Sequence, residues 1–175
     1  MALQAVGNVA TLSAAAVLDR NLETLMEAGY RLSVVLLRDR DEAQDAVQDA
    51  AFLAWRKVAQ LRDPTAVRAW FMAIVVRQCQ SRLRRPWRSV LKLASLRHEM
   101  SMSEDTMVAR LDLSAALARL PDHDRLALYL HYVEDLTLAD AAAVAGCSFA
   151  AFRSRLYRAV DRLHHEMTHQ EARTP

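Results

Sequence analysis

Thr137-Leu138-Ala139-Asp140-Ala141-Ala142-Ala143-Val144-Ala145-Gly146-Cys147-Ser148-Phe149-Ala150-Ala151-Phe152-Arg153-Ser154-Arg155-Leu156-Tyr157-Arg158-Ala159 is the stretch on which the fold turns. Thr137 with Asp140 three residues on resembles a capping box, so a short helix should start there and run to Ala145. Gly146 can adopt the left-handed conformation that closes a helix, and Ser148 can cap the next by accepting from its free backbone N–H groups. The second helix should run to about His164, burying Phe152, Leu156, Ala159 and Leu163 and leaving Arg153, Arg155, Arg158 and Arg162 on more exposed faces. Short helix, tight turn and longer basic helix is the pattern of a helix-turn-helix. The major groove admits one such helix, and Arg reaches guanine edges or phosphate oxygens from it. An ordinary corner between two helices with a solvated Arg face is the plainer reading of the same residues.

Upstream, helices are expected over Asp105 to Leu120 and Asp122 to about Val133, separated by Pro121. The N-terminal half reads the same way. Leu22, Leu25, Met26, Leu32, Val35 and Leu36 recur at helical spacing between Asn21 and Leu37, with Gly29 a weak point that could divide the helix in two. A helix from about Asp41, capped by Asp41 and Gln44, carries the stripe Val47, Ala51, Ala54, Val58 and Leu61, with Asp45, Gln48, Asp49 and Arg56 opposite. Asp63-Pro64 ends it, because the residue before proline is pushed out of the α region. A third helix from Thr65 towards Arg85 offers Trp70, Phe71, Ile74, Val75 and Leu83 to a core, and Pro86 stops it. Residues Trp87 to about Glu104 lack a sustained period and read as a linker. The expected architecture is all-α: an N-terminal extension (1–20), a helical domain (21–88), a linker (89–108) and a second small helical domain (109–170).

Composition agrees. The 175 residues include only 3 Gly and 4 Pro, too few turn-formers for a many-stranded β fold. The 53% hydrophobic content comes mainly from Ala, Leu and Val, with 6% aromatic residues, which suits thin helical bundles more than one thick core. A net charge of +2 says little in total, but its distribution is uneven. Asp39, Asp41, Glu42, Asp45 and Asp49 form an acidic stretch broken only by Arg40. Arg77, Arg82, Arg84, Arg85, Arg88, Lys92 and Arg97 form a basic run with no acid before Glu99. Opposite fields on neighbouring segments point to two different partners. Two isolated cysteines, Cys79 and Cys147, indicate neither a disulfide scaffold nor a zinc ribbon and fit a reducing cytoplasm. The Ala-rich start lacks a basic residue before Arg20 and is broken by Gln4, Asn8, Thr11 and Ser13, so neither a signal peptide nor a spanning helix is expected.

Taken together these residues resemble the extracytoplasmic-function (ECF) group of bacterial sigma-70 factors, over roughly Tyr30 to Arg85 and Ala115 to Leu163. Asp41-Glu42-Ala43-Gln44-Asp45-Ala46-Val47-Gln48-Asp49, closing with Trp55, is similar to the region that docks on the polymerase clamp helices. Val67-Arg68-Ala69-Trp70-Phe71-Met72-Ala73-Ile74 and the tail Arg82-Leu83-Arg84-Arg85 are similar to the segment that reads the minus-ten element. Ala116-Leu117-Ala118-Arg119-Leu120-Pro121 with Arg125, and Arg153-Ser154-Arg155-Leu156-Tyr157-Arg158-Ala159, are similar to the family's second DNA-binding domain and its recognition helix.

The resemblance implies a non-enzymatic, cytoplasmic subunit that directs core RNA polymerase to promoters, without a cofactor or metal. It assigns core binding to Asp45, Gln48, Asp49 and Phe52. It assigns minus-ten DNA to Trp70, Arg77, Gln78, Arg82, Arg84 and Arg85, and minus-thirty-five DNA to Arg153, Ser154, Arg155 and Arg158. The implied partners are RNA polymerase core, promoter DNA and an anti-sigma factor, with no membrane insertion. The chain departs from the family at Ala51, where Phe is usual and Phe52 follows one position later, at Arg77 and Ser81, where Asn and Asp are common, and at Asp140-Ala141-Ala142, which replaces Glu-Ile-Ala. Two rival readings remain at this point. One is a sigma-like adaptor or decoy that binds a protein instead of DNA. The other is a zinc hydrolase, because His165-Glu166-Met167-Thr168-His169 satisfies the H-E-x-x-H pattern; with no further helix expected to supply a third ligand, a chance match is the expectation.

Overall fold

In the computed structural model the described residues are 2–84, 113 and 116–171, with side chains over 14–84, 113 and 116–168. Arg85, the expected linker and most of the helix expected from Asp105 lie outside them. The chain divides into two units, Met1–Val90 and Leu91–Pro175. The described residues form helices and turns, with no strand among them.

The first unit is a three-helix bundle of α1 (Ala2–Leu37), α2 (Arg40–Lys57) and α3 (Val67–Leu83), each packed on the other two. The helix expected from Asn21 starts far earlier, at Ala2, and buries Ala14 and Leu18, so the expected boundary at residue 20 falls inside it. Nor does Gly29 divide it. A Cβ there would stand 3.0 Å from Val47 Cγ2 and 3.1 Å from both Phe71 Cε1 and Val75 Cγ2, so the missing side chain lets α1 approach α2 and α3 together. Arg38 closes α1 at φ 56°, its N–H donating to the Val34 carbonyl at 2.8 Å.

The cap of α2 is Asp39, two residues before the expected Asp41: its carboxylate accepts from the Glu42 N–H at 3.0 Å. The buried face of α2 is Ala43, Ala46, Val47, Ala50, Ala51 and Ala54, small side chains that allow close helix packing. A single 3₁₀ turn (Val58–Gln60) ends this stretch with Leu61 buried, and a second (Pro64–Ala66) opens α3. Asp63 caps that second turn through the Thr65 N–H and hydroxyl, which together hold its carboxyl below the usual range. Phe71, Met72, Val75 and Cys79 of α3 fill the core, and the Cys79 thiol donates to the Ser33 hydroxyl at 3.4 Å.

The second unit contains α4 (Asp122–Leu128), which continues as one π turn (Tyr129–Val133), then α5 (Leu138–Ala145) and α6 (Phe149–Glu171). Both α4 and α5 pack on α6. The Asp140 N–H donates to the Thr137 hydroxyl at 3.2 Å while that hydroxyl donates to the Asp140 carboxylate at 2.7 Å, which closes the expected cap. Gly146 lies at φ 69°, with its N–H on the Ala143 carbonyl and the Cys147 N–H on Ala142, a Schellman closure. Ser148 caps α6 by accepting from the Ala151 N–H at 3.2 Å. Phe152, Leu156 and Ala159 are buried as the stripe requires, with Leu163 half-buried.

Candidate nucleic-acid interface

On α2, Gln48 and Asp49 lie three and four residues after Asp45, Phe52 lies four and three after them, and Trp55 and Arg56 lie three and four after Phe52, so all six share one face, and all are exposed. The stripe is acidic and polar in its first half and aromatic in its second. Phe52 is 63% exposed, with the Arg56 guanidinium carbon 5.6 Å from its ring centroid, and Trp55 is 41% exposed beside it. Ala51, the position where the resemblance leads one to expect Phe, is buried, so the neighbouring Phe52 ring stands outside the bundle. No described residue pairs with Asp45. Asp49, in contrast, accepts from Arg82.

The side chains expected to meet minus-ten DNA are separated by this ion pair. Arg77 and Arg84 are exposed near the C-terminal end of α3, Trp70 and Gln78 are half-buried, and Arg85 lies outside the described residues. Arg82 is placed differently from the other basic residues. It is buried, with Nη2 2.6 Å from Asp49, Nε 3.4 Å from Glu42 and Nη1 donating to Gln78 at 3.4 Å. Those partners turn its guanidinium inwards, where it ties α3 to α2. The basic run conceals this role, although Arg82 sits seven residues after buried Val75 and so on the same face.

On α6, Arg153, Ser154 and Arg158 are exposed and Arg155 is half-buried, with Nη1 4.0 Å from the Cys147 sulfur. Arg158 Nε donates to the Ser154 carbonyl at 3.2 Å, which lays its side chain along the helix, while no described residue pairs with Arg153. Further along, Arg162 is committed to Asp124, a fully buried carboxylate that His123 Nε2 also approaches at 3.3 Å. Arg125 is buried against Asp122 and the Leu120 carbonyl, and burial pushes its guanidinium down from the ordinary value. The Arg162–Asp124 pair ties α4 to α6, so among the described residues the α6 Arg side chains with no acidic partner sit in the first half of the helix. Two exposed aromatics, Phe149 (49%) and Tyr157 (63%), flank them. Sequence reasoning assigned neither: Phe149 is three residues before Phe152 and looks like an extension of the buried stripe.

Of the H-E-x-x-H residues, His169 has its side chain outside those described. Glu166 pairs with Arg119 at 3.3 Å, and among the described residues no group of three His, Cys, Asp or Glu side chains could hold a metal ion. No described helix is long and apolar enough to cross a membrane.

Comparison with known proteins gives two family matches in order: Sigma-70 region 2 over residues 17–89 and Sigma-70, region 4 over residues 110–163. The chain is 28% identical over 142 residues to the RNA polymerase sigma factor SigV of Bacillus subtilis, covering 81% of this chain and 86% of that protein. It is 32% identical over 141 residues to the ECF RNA polymerase sigma factor SigM of Mycobacterium tuberculosis, covering 77% and 68%. Its fold matches the sigma factor RpoE of Bartonella quintana, solved in complex with the anti-sigma factor NepR, with a TM-score of 0.71 and 25% identity over 86% of this chain and 96% of that one. The adaptor reading gains nothing from these matches. The chain belongs to the ECF group of the sigma-70 family: it is an RNA polymerase sigma factor, a non-enzymatic initiation factor that binds core polymerase and promoter DNA.

Proposed function

We propose a division of labour in which the exposed α2 stripe of Asp45, Gln48, Asp49 and Phe52 docks on core polymerase. Arg77, Arg84 and Arg85 hold the backbone of the opened minus-ten strand, with Trp70 and Gln78 beside them. The first half of α6 reads the minus-thirty-five duplex through Arg153, Ser154, Arg155 and Arg158. Residues 21–88 and 109–170 act as the two functional blocks, joined by 89–108, and Arg82 serves the first block as a brace. The observation that carries this reading is the partition of charge on α6: its distal Arg162 is consumed by a buried Asp, while Arg153 at its proximal end has no described partner and faces solvent. A helix-turn-helix inserts that proximal end into the groove. The co-crystal structure of RpoE with NepR supports an anti-sigma factor as a further partner, and this division of labour is that of a cytoplasmic factor.

The test is to reconstitute holoenzyme and run footprinting with run-off transcription on a promoter library. Protection at both elements, lost upstream alone in the Arg153→Ala and Arg158→Ala double variant, is the expected result. Unchanged upstream protection in that variant would remove α6 from the DNA path.

A further inference from the structure

Phe149 is the first residue of α6, directly after the Ser148 cap, and half of its side chain faces solvent although Phe152 three residues later is wholly buried. It lies one helical turn before Arg153, so the two side chains are neighbours on one flank of the helix. The next two residues, Ala150 and Ala151, are exposed and small, which lets this end of the helix sink close to whatever it meets. Among the described residues the core beneath α6 is filled by Phe152, Leu156 and Ala159, and half of the Phe149 surface stays outside it. In the major groove the one apolar mark that distinguishes a base pair is the C5-methyl of thymine, and Phe is among the side chains suited to contact it. We infer that Phe149 is a specificity-determining residue which packs on a thymine methyl group in the minus-thirty-five duplex, next to the base or phosphate engaged by Arg153. The inference rests on the reading of α6 as the minus-thirty-five reader.

The contact selects T over C at one position, and over A or G on the same strand, by apolar packing alone. It adds no counterion release, so its strength is indifferent to salt, unlike that of the neighbouring Arg contacts. Replacing thymine by deoxyuridine keeps the base pair and every hydrogen-bonding group while deleting only the methyl. Holoenzyme carrying the intact chain is therefore titrated against promoter fragments in which each upstream thymine is replaced singly by deoxyuridine, alongside holoenzymes with Phe149→Ala and Phe149→Leu. The wild type should lose about four-fold in affinity at one thymine, roughly what burial of a single methyl group supplies. Phe149→Ala should bind the thymine and deoxyuridine fragments equally there, and Phe149→Leu should retain part of the difference. Equal binding by wild type at every substituted position, or the same deoxyuridine profile in wild type and Phe149→Ala, would overturn the inference while leaving the α6 assignment intact. Absence of any upstream protection by the wild-type holoenzyme would instead overturn the assignment of α6, and the inference with it. Thermal unfolding of the full chain accompanies the titration. Since Phe149 is half exposed, Phe149→Ala should melt within a few degrees of wild type, and Phe149→Leu keeps the comparison decisive if it does not.

Discussion

Replacing Arg82 by Ala separates two roles that a basic residue near the end of α3 could have, and the structure sets the size of each. As a brace, Arg82 makes one short pair with Asp49, a longer one with Glu42 and a hydrogen bond to Gln78, while its methylene stem is enclosed. The Asp49 carboxylate is 59% exposed, so that pair is worth about 1 kcal/mol at most. Glu42 is only 20% exposed and rehydrates less freely, so losing its partner costs about another 1 kcal/mol. The lost stem packing adds a similar amount, about 1 kcal/mol. A total of about 2–3 kcal/mol in a bundle of this size should lower its melting transition by roughly 8–24 °C. As a DNA contact, Arg82 would contribute otherwise: its removal would leave stability alone and reduce the salt slope of promoter binding by about 0.7, the single-strand value for one phosphate. Thermal unfolding followed by circular dichroism, paired with binding titrations at several salt concentrations, reads both quantities on the same protein. A melting point within two degrees or so of wild type together with a shallower salt slope would refute the brace.

Arg84→Ala should give the opposite pattern, an unchanged melting point with the salt slope reduced by about 0.7, because Arg84 is exposed and, in the proposed division of labour, its loss removes only a phosphate contact. Asp45→Lys should weaken core binding in a fluorescence titration without altering unfolding, since no described residue pairs with Asp45; full core affinity would detach the α2 stripe from docking. Phe152→Ala, at a wholly buried position, should cost about 3–5 kcal/mol and abolish upstream protection through loss of the motif, a result that native-like helicity and binding would contradict. Arg153→Ala should relax preference at one base position of a randomised upstream library, at about 1–3 kcal/mol, if it reads a base edge, and weaken all sequences alike if it holds phosphate.

The features legible in the sequence are the local ones. Thr137, Gly146 and Ser148 fix where α5 begins and ends and where α6 begins because a cap is decided within four residues, and those three make the hydrogen bonds their types imply. Asp39 escaped the same logic: Asp39 and Asp41 are both able to cap, and only the backbone shows that Asp39 is the residue with extended φ and ψ. Gly29 reads locally as a weak point in the helix, yet its role is set by Val47, Phe71 and Val75, residues that only the tertiary fold brings to it. The start of α1 was missed for a related reason, since its first turns are too Ala-rich to show a polar face, and the burial of Ala14 and Leu18 depends on packing within the bundle.

Arg82 shows why charge is harder to place than apolarity. Phe71, Val75 and Cys79 step along α3 at intervals of four, and Arg82 falls three residues beyond, so the helical period alone puts it on the buried face. A cation there is stable only if carboxylates meet it, and the nearest, Asp49, is thirty-three residues away in sequence on another helix. The acidic stretch and the basic run, which read as two surfaces for two partners, are therefore joined at one point by their own ion pair. On α6 the same reasoning works forwards: Phe152, Leu156 and Ala159 fix the rotation of the helix, and rotation decides that Arg153, Ser154 and Arg158 point outwards. On the proposed reading of α6, specificity thus depends on three buried apolar residues, because a change in their phase would present a different set of side chains to the groove.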